Sequence, residues 1–187
     1  MSESLENFTN IVKEDIKEAK TLFFSEAFKE EYLKDRREEK ELYHQLLLGR
    51  NRNQILEEFL LSSGQKKPVL LSAAKTIYQA TIMNLDEPLE IKVKREGWGY
   101  LVGRIKSDGT FLSLHKNTFQ AEDFEDGTLT IYADMKTIPK DGDIDHLIIQ
   151  TVYQTLQIEV VYKEQKRERK KEEEFRQKKL IDLYVDF

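Results

Sequence analysis

Cysteine is absent from the 187 residues. Neither a disulfide framework nor a thiolate metal site is therefore available to the fold. Proline occurs three times and never between Met1 and Lys67, so the first third of the chain is free of the residue that breaks helices. No apolar run approaches the roughly 18 residues that mark a membrane span, and the opening MSESLENFTNIVKED lacks the apolar stretch of a signal peptide. A cytoplasmic protein without membrane contact is the expectation. Glycine is sparse, eight residues. Those in GWGYLVG (97–103) have the wrong spacing for a dinucleotide-binding fingerprint.

Charge is what the chain has in excess. Asp, Glu, Lys and Arg make up 35% of it, against about 25% in an average domain. The distribution is uneven: 2 basic against 8 acidic residues over 121–145, and 9 basic against 5 acidic over 163–179. The net charge of −5 argues against a dedicated nucleic-acid binder, whose footprint is usually a basic domain.

From Ser4 to about Ser62 the apolar period is helical. Leu5, Phe8, Val12, Ile16, Ala19 and Phe23 recur at steps of three or four and share one stripe. Ser4 is placed to cap it. A second pattern runs through Phe24, Ala27, Phe28 and Tyr32 and resumes at Leu42, Tyr43, Leu46 and Leu47. GRNRN (49–53) interrupts it, and Asn53 is the expected cap of a last helix carrying Ile55, Leu56, Phe59 and Leu60. Two to four helices are expected over 1–66.

SSGQKKP (62–68) is turn chemistry, and beyond it the period becomes two. LEIKVKRE (89–96) alternates Leu89, Ile91 and Val93 with Glu90, Lys92 and Lys94, the pattern of a half-buried strand. Further strands are expected at about 99–106, at 111–114, along DGTLTIYAD (126–134), and as the pair HLIIQTVY and TLQIEVVY turning near 152–154. An opening strand within 68–83 makes about seven. Short strands separated by turns, with no helical crossover, point to an antiparallel β-sandwich over 67–163. A single sheet covered by the helices is the alternative. Over 164–187 the period is helical again, a charged amphipathic helix ending in an apolar stripe of Leu180, Leu183, Tyr184 and Phe187. That stripe needs a partner, either the N-terminal helices or a continuation of the chain.

The stretch SLHKNTFQAEDFEDGTLTIYADMKTIPKDGDIDHLIIQTVYQTLQIEV (113–160), with LEIKVKREGWGYLVGRI before it, resembles small bacterial immunoglobulin-like modules. Together with the charged helix and LIDLYVDF, it is similar to the N-terminal region of a family of large uncharacterised bacterial proteins whose chains continue into helical repeats. The resemblance implies an α+β fold: an antiparallel immunoglobulin-like sandwich flanked by N-terminal helices and a C-terminal charged helix. It implies a scaffold and no chemistry. It departs from antibody domains, with no cysteine pair and Trp98 as the lone tryptophan.

The residues themselves carry little sign of catalysis. No cue sets a nucleophile beside a base and an orienting acid, and His44, His115 and His146 have no common ligand spacing. Asp141, Asp143 and Asp145 alternate like the start of a calcium loop. The sixth position is His146 rather than glycine, however, and the twelfth is Val152 rather than a carboxylate. A solvated turn, with Asp143 and Asp145 toward water, is the reading. The acids Glu122, Asp123, Glu125 and Asp126 read as negative surface, although paired carboxylates are also what a glycosidase uses. In KEQKRERKK the bases Lys166, Arg167, Arg169, Lys170 and Lys171 are interleaved with Glu164, Glu168 and Glu172, which weakens a phosphate-binding field.

The function expected is therefore a non-enzymatic protein-interaction or scaffold module, the N-terminal part of a larger protein, with no cofactor, metal or catalytic residue. A protein partner or self-association is expected. Candidate contact residues are Trp98 and Tyr100, the helical stripe Phe8, Val12, Ile16 and Phe23, and the terminal stripe Leu180, Leu183, Tyr184 and Phe187. Nucleic-acid binding through 163–179 is one alternative, and a carbohydrate-binding or hydrolase module using the acidic loop is another.

Overall fold

A computed structural model describes residues 3–164 and 173–181. The chain divides into two compact units. One runs to Val69 and takes in Gly97–Leu101; the other holds Leu70–Glu96 and the chain from Val102 onward.

The first unit is helical: α1 (Leu5–Glu14), α2 (Ile16–Phe23), α3 (Glu26–Tyr32), α4 (Arg37–Leu46) and α5 (Arg52–Ser62). Five helices replace the two to four expected, because polar side chains cut the apolar stripes. Ser4 caps α1 as anticipated, its Oγ accepting from the Asn7 N–H at 3.1 Å. The stripe from Leu5 to Phe23 then breaks at Asp15, whose Oδ1 accepts from the N–H groups of Lys17 and Glu18. A short acceptor that satisfies the first-turn donors ends one helix and begins the next. The last helix is capped by Asn51, accepting from Gln54 N–H at 3.1 Å, and not by Asn53. Phe8, Phe23, Phe28, Tyr43 and Phe59 are each at most 2% exposed and pack ring on ring. Each buried aromatic or aliphatic side chain contributes on the order of 1.5–3 kcal/mol. The Tyr43 hydroxyl donates to the Phe23 carbonyl at 2.6 Å, so the polar tip of that core residue is satisfied.

The second unit is a two-sheet sandwich of nine strands among the described residues: β1 (Leu70–Ala73), β2 (Ile77–Ala80), β3 (Leu89–Glu96), β4 (Val102–Ser107), β5 (Leu112–Leu114), β6 (Thr118–Gln120), β7 (Thr128–Met135), β8 (Ile144–Gln150) and β9 (Thr155–Tyr162). The four-stranded sheet has the order β1-β3-β7-β5 and the five-stranded sheet β2-β9-β8-β4-β6. Lettered along the chain, these contain the A-B-E-D and G-F-C orders of immunoglobulin-type sandwiches. Two strands beyond the expected seven are short. The opening segment splits into β1 and β2, one in each sheet, and β6 is a three-residue strand beside β4. The architecture is also not wholly antiparallel, since β2 pairs with β9 in parallel. That follows from the split: a segment that changes sheets between Ala73 and Ile77 continues in the same direction and lies alongside the last strand, which runs the same way. The core is made by the inner positions of both sheets, among them Ile91, Val93, Ile105, Ile131, Leu147, Ile158 and Val160.

Residues 173–181 are helical and exposed. The basic residues Lys166, Arg167, Arg169, Lys170 and Lys171, and the apolar Leu183, Tyr184 and Phe187, lie outside the described residues.

Candidate functional site

The outward face of the five-stranded sheet is where the sandwich departs from the usual alternation. A solvent-facing sheet surface is normally polar, but here Ile77 on β2 and Ile144 on β8 are 58% and 43% exposed. Ile144 pairs with Val161 on β9, and Gln79 on β2 pairs with the same Val161. Ile148, four residues along β8, lies on the same face, opposite Gln157. His146 sits between the two isoleucines. Its Nδ1 lies 2.6 Å from Asp108 Oδ2 and its Nε2 3.7 Å from Glu159 Oε1. The result is an aliphatic patch around one imidazole flanked by two carboxylates.

Side chains also finish the sheet edges. Gln154 Oε1 accepts from the Leu71 N–H at 2.8 Å, and its Nε2 donates to the Leu71 carbonyl at 2.7 Å, so one amide stands in for a neighbouring strand along β1. The Tyr78 hydroxyl accepts from the Lys92 N–H at 3.1 Å, which holds β2 of one sheet to β3 of the other. Asp123 Oδ2 accepts from the Gln120 N–H at the end of β6.

Trp98 and Tyr100 belong to the helical unit. Gly97 and Gly99 bracket the indole at φ +104° and +101°, a region that favours glycine. Beneath them lies an ion pair with side chains 1% (Lys66) and 3% (Glu57) exposed. Lys66 Nζ donates to Glu57 Oε1 and to the Trp98 carbonyl, and stands 4.4 Å from the centre of the indole ring. Lys13 Nζ lies 5.0 Å from that ring. Trp98 is partly buried against the helical core, and the Tyr100 hydroxyl accepts from Asn51 Nδ2 at 3.3 Å. Of the helical stripe, Phe8, Val12 and Phe23 are buried in the unit's own core, whereas Ile16 is 44% exposed. Leu180 is also exposed. Sequence periodicity had no means of flagging Glu57 and Lys66, because a charged residue in a helix or a turn is ordinarily a surface residue.

The acidic loop borders a cleft of about 410 Å³ in the sandwich, lined by Glu122, Asp123, Glu125, His115, Thr130 and Tyr132 among others. His115 Nε2 lies 2.9 Å from Asp134 Oδ2, and its ring stacks on Tyr132. Asp123 Oδ1 is 3.5 Å from Lys116 Nζ. Asp126 lies in the turn after the loop at φ +49°. His44 is exposed on α4 beside Tyr43.

The DGDIDH segment corrects one expectation. Asp145 does not face water: it is fully buried, and its Oδ2 accepts from the N–H groups of Phe111 and Leu112 at 3.1 and 3.0 Å. Alternation explains the error, since Asp145 falls on the inner face of β8 with Leu147 and Ile149. Asp141 Oδ1 accepts from Glu164 N–H and Asp143 Oδ2 from Lys140 N–H. Among the described residues no three His, Asp or Glu side chains converge to hold a metal ion, and no helix is long and apolar enough to cross a membrane.

Residues 2–187 match the N-terminal model of DUF5717, a family of unknown function. The chain belongs to this family. The match spans both compact units, so the helices and the sandwich are together the N-terminal region of DUF5717. No curated protein matches the chain. Among solved structures it is similar to the E. coli chaperone DraB, at 8% identity and a TM-score of 0.40, over 51% of this chain and 55% of that one. The chain thus spans about half the length of DraB. It is similar also to the apo-form Calx CBD1 domain, at 11% identity and a TM-score of 0.35, over 51% of this chain and 98% of that one. The M1 domain from titin shows 8% identity and a TM-score of 0.31, over 52% of this chain and 96% of that one.

Proposed function

We propose that this chain is a non-enzymatic protein-interaction module serving as the N-terminal part of a larger protein. The observation that carries the reading is the aliphatic surface on the outward face of the five-stranded sheet, where Ile77 and Ile144 are exposed beside Val161 and Ile148. Aliphatic side chains grouped on a solvent-facing sheet mark a surface made to be covered. The family description, an N-terminal region, supports a place at the head of a longer chain. Recognition on this reading works by shape and apolar contact, with His146, Asp108 and Glu159 inside the patch setting orientation.

The test is affinity capture with cross-linking from an extract of the source organism, comparing the wild-type chain with Ile144→Glu. A protein retained by the first and lost with the second supports the reading. Identical retention by both counts against it.

A second reading has one observation behind it. The 410 Å³ cleft gathers carboxylates, threonines and a stacked His115–Tyr132 pair, the lining that suits a polyhydroxylated ligand. Saturable binding on a glycan array, lost on Asp123→Ala, would favour a carbohydrate-binding module instead.

A further inference from the structure

Four strands terminate the two sheets: β1 and β5 in one, β2 and β6 in the other. Side chains of the protein occupy outward backbone groups on three of them. Gln154 holds both groups of Leu71 on β1, Asp145 takes the Leu112 N–H on β5, and Asp123 takes the Gln120 N–H on β6. Stoppers of this kind keep a sheet from pairing with other chains.

β2 is different. Its bonds to β9 pass through alternate residues, with Glu159 N–H donating to the Thr76 carbonyl and Lys163 N–H to the Ala80 carbonyl. The backbone groups of Ile77 and Gln79 therefore point away from the sheet. Both residues are exposed, and Ile77, at 58%, is the most exposed large apolar side chain in any described strand. The strand is not a frayed end, because the Tyr78 hydroxyl anchors it to the Lys92 N–H of β3.

We propose that β2 is the docking edge for an extended segment of a partner protein, added as a sixth strand to the five-stranded sheet. The main chain of that segment takes the N–H and C=O groups of Ile77 and Gln79, and an apolar side chain of the segment lies beside Ile77. The size of the edge selects this occupant. A four-residue strand falls far short of the roughly 800 Å² per partner in a stable protein–protein interface, so two copies joined here edge to edge would not hold. An extended peptide needs only main-chain bonds and a pocket or two for alternate side chains. The proposal deepens the interaction reading and rests on it.

The experiment uses the 187-residue chain and a phage-displayed library of 12-residue peptides. Enriched peptides are synthesised, their affinities measured by fluorescence polarisation, and their sites located by amide chemical shifts. Gln79→Pro deletes the outward N–H while leaving the bonds to β9, and Gln79→Ala keeps it. Ile77→Lys, at an exposed position where folding is not at issue, is the second variant. The expected result is peptide binding that shifts the Ile77 and Gln79 amides, is weakened at least tenfold by Gln79→Pro and Ile77→Lys, and changes less than twofold with Gln79→Ala. Peptides whose binding ignores both damaging variants overturn the edge assignment. If they instead shift the amides around Ile144, the interaction reading stands and only the edge falls.

Discussion

Asp145→Ala is the substitution whose cost can be worked most directly from the geometry. The carboxylate is fully buried, and one oxygen, Oδ2, accepts both the Phe111 and the Leu112 N–H. Those donors belong to the entry of β5 in the opposite sheet, so the side chain ties the two layers together. Hydrogen bonds to a charged group contribute about 1.5–3 kcal/mol each, which puts the gross loss at about 3–6 kcal/mol. Removing the carboxylate also relieves the cost of keeping a charge out of water. The net expectation is a destabilisation of about 2–4 kcal/mol, within the range for stranding buried donors. Asparagine separates the two contributions. A single amide oxygen in the place of Oδ2 can accept both N–H groups, but Nδ2 then takes the place of Oδ1, which is buried without a hydrogen-bond partner, so Asp145→Asn should cost about 1 kcal/mol, less than alanine. Urea unfolding followed by circular dichroism of the sheet measures both variants. With a slope of about 2 kcal/mol per molar urea, the alanine midpoint should fall by roughly 1–2 M and the asparagine midpoint by roughly 0.5 M. If asparagine is as damaging as alanine, the charge and not the paired donors holds the layers, and the reasoning fails.

Three other outcomes are expected. Gly103→Ala places a methyl group against the Phe119 ring and the Gln150 carbonyl, so it should cost about 1–3 kcal/mol by overpacking and raise amide exchange along β6. Lys66→Met leaves the Glu57 carboxylate buried without its ammonium partner, a loss of about 3–5 kcal/mol; Glu57→Leu added to it should recover part of that. Trp98 is the sole tryptophan, so its fluorescence follows unfolding of the helical unit directly. Burial, with Glu26 nearby, raises the Tyr43 hydroxyl above its ordinary pKa of 10.0. The folded state thus keeps a proton that the unfolded chain releases, and stability from this group is complete below pH 10 and lost as pH climbs above it. Melting temperatures between pH 9 and 11 should show a shallower alkaline decline in Tyr43→Phe than in wild type.

Much of the fold was legible because the two periods do not resemble one another. A stripe at steps of three and four from Leu5 to Phe23 and an alternation along Leu89, Ile91 and Val93 can each be satisfied in one way, and the burial of those residues, Ile16 excepted, follows from it. What periodicity missed has a common cause: short polar side chains that bond to the backbone. Asp15 divides a stripe that reads as continuous, Asn51 takes a cap expected at Asn53, and strands of three or four residues are too brief to display alternation. Asp145 misled for the opposite reason. Its neighbours Asp141 and Asp143 mark a turn, yet β8 begins at Ile144, and the strand's own alternation carries the next residue inward.

The candidate surface was less legible than the fold, since the quantity that defines it is not a residue type. Ile77 and Ile144 read as ordinary strand residues. Only the register, which sets Ile144 against Val161 and Ile77 against Glu159, shows that they share the solvent side. The edge of β2 is more hidden still, because its identity rests on which backbone groups other strands have already taken. Gln154 illustrates the point. As a sequence letter it is a turn residue, yet in the fold it occupies both groups of Leu71, on a different sheet and 83 positions away. If it is there to keep β1 closed, Gln154→Ala should leave the monomer's core intact but open a second edge. The peptide selection repeated on this variant would then yield sequences that shift the Leu71 amide, which peptides selected on the wild-type chain leave unmoved. A variant that binds no peptide at Leu71 while amide exchange there accelerates would mean the stopper guards local order and not the edge, and that closed edges cannot be used to single out β2.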